Sequence, residues 1–180
     1  MTTGHVYIAT SLDGFVARED NNLDWLMKQP QPDVDEDGGY NSFFSGMDGL
    51  VMGSGSFRTV ASFGDWPYTK PVVVMSQTMT DADIRDDLKD KVRITRKDPA
   101  ALMEELEAEG WARAYIDGGQ VIQSFLRAGL IEELILTQIP ILLGRGKPLF
   151  GPLDQDVDLE LVRSLTLSSG LLQVHYRVKS

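Results

Sequence analysis

The chain has 180 residues, a formal net charge of −10, two histidines and no cysteine. This length fits a single domain over 1–180 with a substantial core, and the absence of thiols excludes disulfides, thiolate metal sites and a cysteine nucleophile. The negative charge argues against nucleic acid or an anionic lipid surface as a partner, and His5 and His175 lie at opposite ends of the chain, so we expect neither a metal site nor a histidine-based triad.

The first two thirds of the chain predict strands that alternate with helices. Strands are expected at 5–9, 49–52, 71–75, 92–95 and 113–116. The run PVVVM at 71–75 is almost continuously apolar, which is typical of a parallel strand buried on both faces. Helices are expected at 57–62, at 99–109, where Asp98 is a suitable cap and Gly110 a suitable end, and at 121–126.

The pattern changes in the last third. Three further strands are expected at 133–139, 159–166 and 171–178, with no convincing helix between them. Ser168, Ser169 and Gly170 separate the last two strands and predict a hairpin. The predicted order is βαβαβαβαβαβ followed by antiparallel strands at the carboxyl end. This order predicts a mixed sheet flanked by helices.

Small and polar residues follow the predicted parallel strands, at 10–14, 53–56, 76–78, 96–97 and 117–119. Ligands of open α/β sheets bind beyond the carboxyl ends of the strands, so these loops predict one functional edge. Two of them are glycine turns that open a helix, and helix N-termini attract anions. Two such turns predict a site for a cofactor that contains a pyrophosphate, although neither turn reads G-x-G-x-x-G.

Five motifs carry a family resemblance: IATSLDGFVA (8–17), DGLVMGSGSF (48–57), KPVVVMS (70–76), AYIDGGQVIQSFL (114–126) and LIEELILTQIPILLGRGKPLF (130–150). Together they cover nearly the whole chain and resemble the dihydrofolate reductase fold. Within that fold they are most similar to the reductase domain of bacterial riboflavin biosynthesis and its stand-alone relatives. The resemblance implies a three-layer α/β fold whose mixed, mostly parallel sheet ends in an antiparallel C-terminal hairpin.

The resemblance also implies a nicotinamide cofactor, NADPH most often, with NADH possible. Facing the nicotinamide would be Ala9, Val16 and Ala17. The pyrophosphate would bind backbone N–H groups of Gly53, Ser54, Gly55, Ser56, Gly118, Gly119, Gln120 and Val121. Ser76 and Arg96 would lie near the adenosine. Dihydrofolate reductases commonly carry arginine where this chain has Ser54, so a preference for NADPH would depend on Arg96 or Lys97.

Three carboxylates are candidates for supplying a proton to the acceptor. Asp37 matches the substrate-binding acid of dihydrofolate reductases, with Thr137 as its companion, but it is also compatible with a solvated loop. Asp117 stands where the riboflavin reductases carry a glutamate before their glycine pair, or it caps a strand. Asp13 lies in a loop that could close over the cofactor, although Asp-Gly is also a common turn.

Two aromatic residues and one basic loop complete the candidates. Trp25 and Trp66 could stack on a flat heterocycle or belong to the core or a lid. The loop 144–147 (GRGK) could hold a phosphate or form a surface turn.

The sequence therefore predicts an NAD(P)H-dependent reductase of a small, flat heterocycle. Dihydrofolate reductase proper and a non-catalytic nucleotide-binding protein remain alternatives. These 180 residues lack the zinc signature of a deaminase, so we expect no fused deaminase domain, which weakens an assignment to riboflavin synthesis itself. The amino terminus has no signal-peptide pattern, so we expect a cytoplasmic protein with a small-molecule substrate and no membrane partner. The apolar residues around Pro140, namely Ile139, Ile141, Leu142 and Leu143, suggest an exposed ridge and a homodimer.

Overall fold

The computed structural model describes residues 1–30, 33 and 35–179. In chain order its elements are β1 (Thr3–Ser11), β2 (Phe15–Ala17), α1 (Asp24–Met27), α2 (Tyr40–Ser45), β3 (Gly49–Gly53), α3 (Ser54–Ala61), β4 (Val72–Met75), β5 (Val92–Thr95), α4 (Pro99–Ala108), β6 (Arg113–Asp117), α5 (Gly119–Arg127), β7 (Ile131–Ile139), β8 (Lys147–Pro148), β9 (Leu159–Thr166) and β10 (Leu172–Val178). Every predicted strand is present, with ends close to those expected. No helix in this part of the chain is long and apolar enough to cross a membrane.

Eight strands form one sheet in the order β5-β4-β3-β6-β1-β7-β10-β9. The six strands from β5 to β7 in this order are parallel, and β10 and β9 close the sheet as an antiparallel hairpin. Gly170 donates its N–H to Leu167 in the hairpin turn, as the sequence predicted. The mixed sheet is therefore confirmed. A separate two-stranded ribbon of β2 and β8 was not predicted.

Helices cover both faces of the sheet because strand residues alternate between them. On one face, α4 and α5 pack against a buried cluster that includes Val51, Ile116, Ile122 and Phe125. On the other face, α2 and α3 pack against a cluster that includes Phe43, Leu50, Phe57 and Tyr115. This gives the three layers of the dihydrofolate reductase-like fold.

The sequence predicted a helix between each two successive parallel strands, and this prediction is wrong at one connection. Between β4 and β5 the chain forms only two 3-10 turns, Asp81–Asp83 and Asp86–Leu88. The segment is rich in aspartate, which favours turns and caps over helix interiors. Ile84 and Leu88 anchor it in the core. The helix predicted at 57–62 also starts earlier than expected, at Ser54.

The two histidines, distant in sequence, meet at Glu133. His5 Nδ1 lies 2.7 Å and His175 Nε2 lies 2.8 Å from the carboxylate of Glu133, and Arg113 donates to the same carboxylate at 2.7 Å. These residues lie on adjacent strands, so the two histidines are close in the fold although they lie at opposite ends of the chain. Hydrogen bonds from His5 and then from His175 lower the pKa of Glu133 to about 2. No cluster suited to a metal ion occurs among the described residues.

Candidate active site

The two glycine turns lie side by side at one edge of the sheet. Met52 at the end of β3 pairs with Asp117 at the end of β6, so α3 and α5 start next to each other. A Cβ atom on Gly118 would lie 2.7 Å from Ser56 Oγ, and the φ of Gly118 is +92°. Only glycine allows both this backbone conformation and this close approach. The shared edge predicted from the sequence is confirmed.

A cavity of about 520 Å³ opens between these turns. Its lining includes the predicted nicotinamide-facing and pyrophosphate-binding residues, together with one of the candidate acids: Ala9, Val16, Ala17, Gly53, Ser54, Gly55, Ser56, Asp117, Gly118, Gly119, Gln120 and Val121. The structure thus brings together residues of β1, β2, β3, α3, β6 and α5. A pocket of this size, apolar with a few polar groups, is suited to a small ligand or part of a larger cofactor.

The helices α3 and α5 both begin without a side-chain cap. The N–H groups of a first helical turn have no partner within the helix. Because both first turns line the cavity, their N–H groups and the positive ends of both helix dipoles favour an anionic group there. These residues therefore fit the pyrophosphate of a dinucleotide.

Asp117 is the one candidate acid in this cavity. Burial raises the pKa of its carboxyl group to about 6, and hydrogen bonds from the Gly118 N–H and the Ser56 hydroxyl only partly oppose that effect. A carboxyl group with this pKa is partly protonated near neutral pH. Asp117 is therefore chemically able to deliver a proton to a ligand in the cavity.

The Asp13 carboxylate forms hydrogen bonds that hold two loops together. It accepts hydrogen bonds from the Ser11 hydroxyl at 2.6 Å, from Leu143 N at 3.1 Å and from Gly144 N at 2.8 Å. These bonds, the Ser11 bond first, lower the pKa of Asp13. The side chain joins the loop after β1 to the loop after β7 and does not line the cavity.

Asp37 lies at the start of a helix, where the resemblance put it. Its carboxylate accepts the N–H groups of Asn41 and Gly39, both at 2.8 Å, and these bonds lower its pKa. Thr137 is buried and its hydroxyl accepts the side-chain amide of Gln173 at 3.3 Å. Neither Asp37 nor Thr137 lines the cavity.

The other predicted binding residues lie away from the cavity walls. Ser76 Oγ accepts the N–H of Met79 at 3.1 Å, and Arg96 donates to the Met79 carbonyl at 3.3 Å. Trp25 is fully buried and Trp66 is partly buried, and the indole N–H of each has no partner among the described residues. No wall of the cavity includes either tryptophan.

Several cavity residues were not predicted. They come from the loop before α1, from α1, from the body of α3, and from β4 and β8: Asn21, Leu23, Leu26, Arg58, Thr59, Val60, Met75 and Pro148. Gly146 and Lys147 also line the cavity, and they belong to the loop 144–147 for which the sequence left open a phosphate site or a surface turn. Thr59 follows Gly55 by one helical turn, a spacing that could have identified it. Asn21 has a φ of 67°, and its side chain would lie 3.2 Å from a Cβ on Gly55 because the chain folds back here. No spacing in the sequence indicates this contact.

The three layers, the strand order and the paired glycine turns define a dihydrofolate reductase-like α/β protein with a cavity at one edge of the sheet. The chain belongs to the RibD C-terminal domain family, whose model matches residues 3–173. The family predicted from the motifs is thereby confirmed.

Relatives of the same length support this placement. YwjB of Bacillus subtilis strain 168 is 29% identical over 173 residues, which cover 95% of each chain. A crystal structure from Shewanella sp. PV-4, of a protein named for riboflavin biosynthesis, is 40% identical with a TM-score of 0.92, covering 99% of this chain and 100% of that one.

A more distant structure shares the fold alone. It is the diaminohydroxyphosphoribosylaminopyrimidine deaminase/5-amino-6-(5-phosphoribosylamino)uracil reductase of Thermotoga maritima, 11% identical with a TM-score of 0.75. The match covers 99% of this chain and 57% of that chain. The present chain therefore corresponds to about half of that larger protein.

Proposed function

We propose that the protein is an NAD(P)H-dependent reductase that transfers hydride to a small, flat heterocycle of the pyrimidine or pteridine kind. The observation that carries this proposal is the cavity at the strand ends. There, two uncapped helix N-termini and a carboxyl group with a raised pKa, that of Asp117, face the same space. Anion binding and proton delivery are the two protein functions that such a reaction requires.

The strand order gives the cofactor a direction. The sheet runs β4-β3-β6-β1, with the two glycine turns after β3 and β6. A pyrophosphate at these turns extends its nicotinamide towards Ala9 on β1 and its adenosine towards β4, near Ser76 and Arg96. Bound reduced nicotinamide supplies the hydride from its C4 atom. Val16 and Ala17, on β2, cover that end of the cavity and exclude water from it.

The three candidate acids are distinguished by their surroundings. Asp13 and Asp37 accept hydrogen bonds that lower their pKa values, so both remain ionised at neutral pH. Burial instead raises the pKa of Asp117. A carboxyl group whose pKa is raised can act as a proton donor, whereas one whose pKa is lowered cannot. We assign Asp117 the role of holding the proton that the acceptor takes up after hydride transfer.

The experiment is a cofactor titration followed by a turnover assay. Fluorescence titration with NADPH and NADH measures binding, and NADPH oxidation is then followed with several acceptors: the ribosylaminopyrimidine of riboflavin synthesis, dihydrofolate, pterins and small carbonyl compounds. Turnover of a heterocycle by the wild type, greatly reduced in Asp117→Asn, supports the proposal.

The other outcomes identify the alternatives. Antifolate-sensitive turnover of dihydrofolate would indicate dihydrofolate reductase proper. Cofactor binding without turnover of any acceptor would indicate a binding protein. If neither NADPH nor NADH binds, the reductase proposal is wrong.

We further propose a homodimer, formed at a different surface from the one expected. Ile139 is buried, and of the residues around Pro140 only Leu142 is highly exposed. The edge strand β9, in contrast, exposes Leu161 by 56% and Val162 by 42%. An uncovered strand edge with apolar side chains favours pairing with a second copy of the chain. Light scattering should show twice the mass of 20.0 kDa, and Leu161→Lys should yield the monomer.

A further inference from the structure

The two-stranded ribbon of β2 and β8, which we call the β2–β8 ribbon, forms one wall of the cavity. Together with the residue before β8, it contributes Val16, Ala17, Gly146, Lys147 and Pro148 to the lining. Two residue pairs connect its strands, Phe15 with Pro148 and Ala17 with Lys147, and the register shifts between them. A ribbon of two strands is at best marginally stable in water. Contacts with the rest of the protein must therefore hold it in place.

One of these contacts is with the first turn of α5. A Cβ atom on Gly119 would lie 2.5 Å from the Pro148 carbonyl oxygen and 3.3 Å from Val16 Cγ2. Gln123 Nε2 donates a hydrogen bond to the same carbonyl at 3.0 Å. The inner side of the ribbon therefore rests directly on one of the two glycine turns.

The second contact is the Asp13 carboxylate. Its Oδ1 atom accepts the Ser11 hydroxyl at 2.6 Å and the Leu143 N–H at 3.1 Å, and its Oδ2 atom accepts the Gly144 N–H at 2.8 Å. Ser11 Oγ in turn accepts the Phe15 N–H at 2.9 Å. Asp13 thus joins the chain that leads into β2 to the chain that leads into β8.

The loop 140–146, which leads into β8, contains no helix or strand. Two backbone hydrogen bonds also connect the two segments, from the Leu12 N–H to the Ile141 carbonyl and from the Leu149 N–H to the Gly14 carbonyl, both at 2.9 Å. Hydrogen bonds to a carboxylate are about twice as strong as bonds between neutral groups. The two bonds that the carboxylate accepts from this loop are therefore the strongest links between the segments.

We propose that Asp13 is a positioning residue of the active site, whose carboxylate holds the β2–β8 ribbon over the nicotinamide end of the cavity. Asp13 does not line the cavity, so it acts through Val16 and Ala17, which do. The inference rests on the proposed reductase function and gives a role in it to an acid that donates no proton. Hydride transfer requires close control of the nicotinamide position, which a displaced ribbon would not provide.

Loss of this carboxylate should loosen the ribbon and leave the remainder of the cavity intact. The first turns of α3 and α5, where the pyrophosphate is proposed to bind, belong to regular helices that pack on the sheet. NADPH should therefore still bind, with an affinity within about three-fold of the wild-type value. Its nicotinamide ring, however, should be open to water.

Two variants and one matched control test the inference. Asp13→Ala removes the carboxylate, and Ser11→Ala keeps it but removes the bond that orients it. The control is Asp48→Ala. Asp48 also accepts two backbone N–H groups from another segment, those of Ala112 at 2.7 Å and Arg113 at 2.9 Å, but it precedes β3 and so lies at the opposite edge of the sheet.

Hydrogen–deuterium exchange of the protein without cofactor measures how firmly the ribbon is held. Peptides that cover 14–18 and 146–150 should exchange about ten-fold faster in Asp13→Ala, because charge-assisted bonds that oppose local opening are lost. The increase should be smaller in Ser11→Ala and absent in Asp48→Ala, and α4 should exchange at the wild-type rate in Asp13→Ala. Unchanged exchange in the ribbon, or equal acceleration in α4, would show that Asp13 does not position the ribbon.

Acrylamide quenching of the fluorescence of bound NADPH measures the exposure of the nicotinamide ring. The quenching constant should rise in Asp13→Ala and stay at the wild-type value in Asp48→Ala. With any acceptor that the wild type reduces, Asp13→Ala should lower kcat at least about ten-fold and leave the KM for NADPH nearly unchanged.

The two measurements separate the two proposals. If the wild type binds NADPH and its quenching is the same in Asp13→Ala, the ribbon does not shield the nicotinamide and the inference is wrong. If the wild type does not bind NADPH, the reductase function is wrong, and the exchange rates still decide whether Asp13 holds the ribbon.

Discussion

The Ser56 hydroxyl lies close to the Asp117 carboxyl group and lowers its pKa. Ser56 belongs to the first turn of α3, and Asp117 ends β6 immediately before the turn into α5. This contact therefore links the two glycine turns to each other and to the candidate acid. It also limits the rise of the Asp117 pKa, because it stabilises the ionised form that burial disfavours.

The pH dependence of turnover should follow the protonation of Asp117. The pKa of this group is raised to about 6, so the protonated acid predominates below that pH and is lost above it. We expect kcat/KM to fall as the pH rises through about 6, and we expect Asp117→Asn to reduce kcat about 100-fold and to remove this dependence. Steady-state kinetics over a pH series measure both effects. An unchanged pH profile in the variant would exclude Asp117 as the proton donor.

The raised pKa of Asp117 also affects the free energy of unfolding. The folded-state pKa of about 6 exceeds the ordinary value of 3.8, so the contribution of Asp117 is fully present below 3.8 and is lost as the pH rises through 6. Asp117→Asn, which stays neutral, should be more stable than the wild type by about 2 kcal/mol near pH 8 and by much less near pH 4. Urea unfolding at both pH values measures the difference. Equal stability at both would mean that the carboxylate is well solvated.

The position of the site could be predicted because it depends on local sequence. The segment AYIDGGQVIQSFL combines an apolar strand, a glycine pair and an amphipathic helix, and each of these has its own periodicity. Once β3 and β6 are parallel, their following turns must share an edge. The pairing of Met52 with Asp117 is the direct expression of that rule.

The chemistry of the site could not be predicted in the same way. Nothing in the sequence separates Asp13, Asp37 and Asp117, because their pKa values depend on burial and on which N–H groups approach them. Arg58 was overlooked because the cavity wall opposite it is the folded-back segment 20–27, which carries no helix or strand periodicity long enough to place it. The meeting of His5 with Glu133 likewise depends on strand order rather than on sequence spacing.

A negative charge at the start of α3 should prevent cofactor binding without harming the fold. Ser54 is the first residue of α3 and lines the cavity. Ser54→Glu would place a carboxylate where the pyrophosphate is proposed to bind, yet glutamate is favourable in a first helical turn. We expect NADPH affinity to fall at least about ten-fold in Ser54→Glu and much less in the neutral control Ser54→Gln. Fluorescence titration and thermal unfolding are the measurements, and equal affinities in both variants would place the pyrophosphate elsewhere.

Glu133 should stabilise the fold and not the site. Its pKa is lowered from 4.5 to about 2, so its contribution is present above 4.5 and is lost as the pH falls through 2. Glu133→Gln leaves the fully buried His5 without its charged partner and should cost about 2 kcal/mol near pH 7, with a smaller difference at acid pH. Urea unfolding measures the cost. Cofactor binding should be unchanged, because Glu133 does not line the cavity.

The choice between NADPH and NADH should depend on Arg96 rather than Lys97. In the proposed cofactor orientation the adenosine extends towards β4, whose following loop contacts Arg96 through the Met79 carbonyl. That single bond, at 3.3 Å, leaves most of the guanidinium available for a 2′-phosphate, whereas Lys97 is already paired with Glu105. Arg96→Gln should weaken NADPH binding about ten-fold and leave NADH binding unchanged, and Lys97→Gln should affect neither. Parallel titrations with both cofactors provide the measurement. If Arg96→Gln weakens the binding of NADPH and NADH equally, Arg96 stabilises the loop and does not bind the 2′-phosphate. If the wild type binds both cofactors with equal affinity, no side chain of this protein recognises the 2′-phosphate.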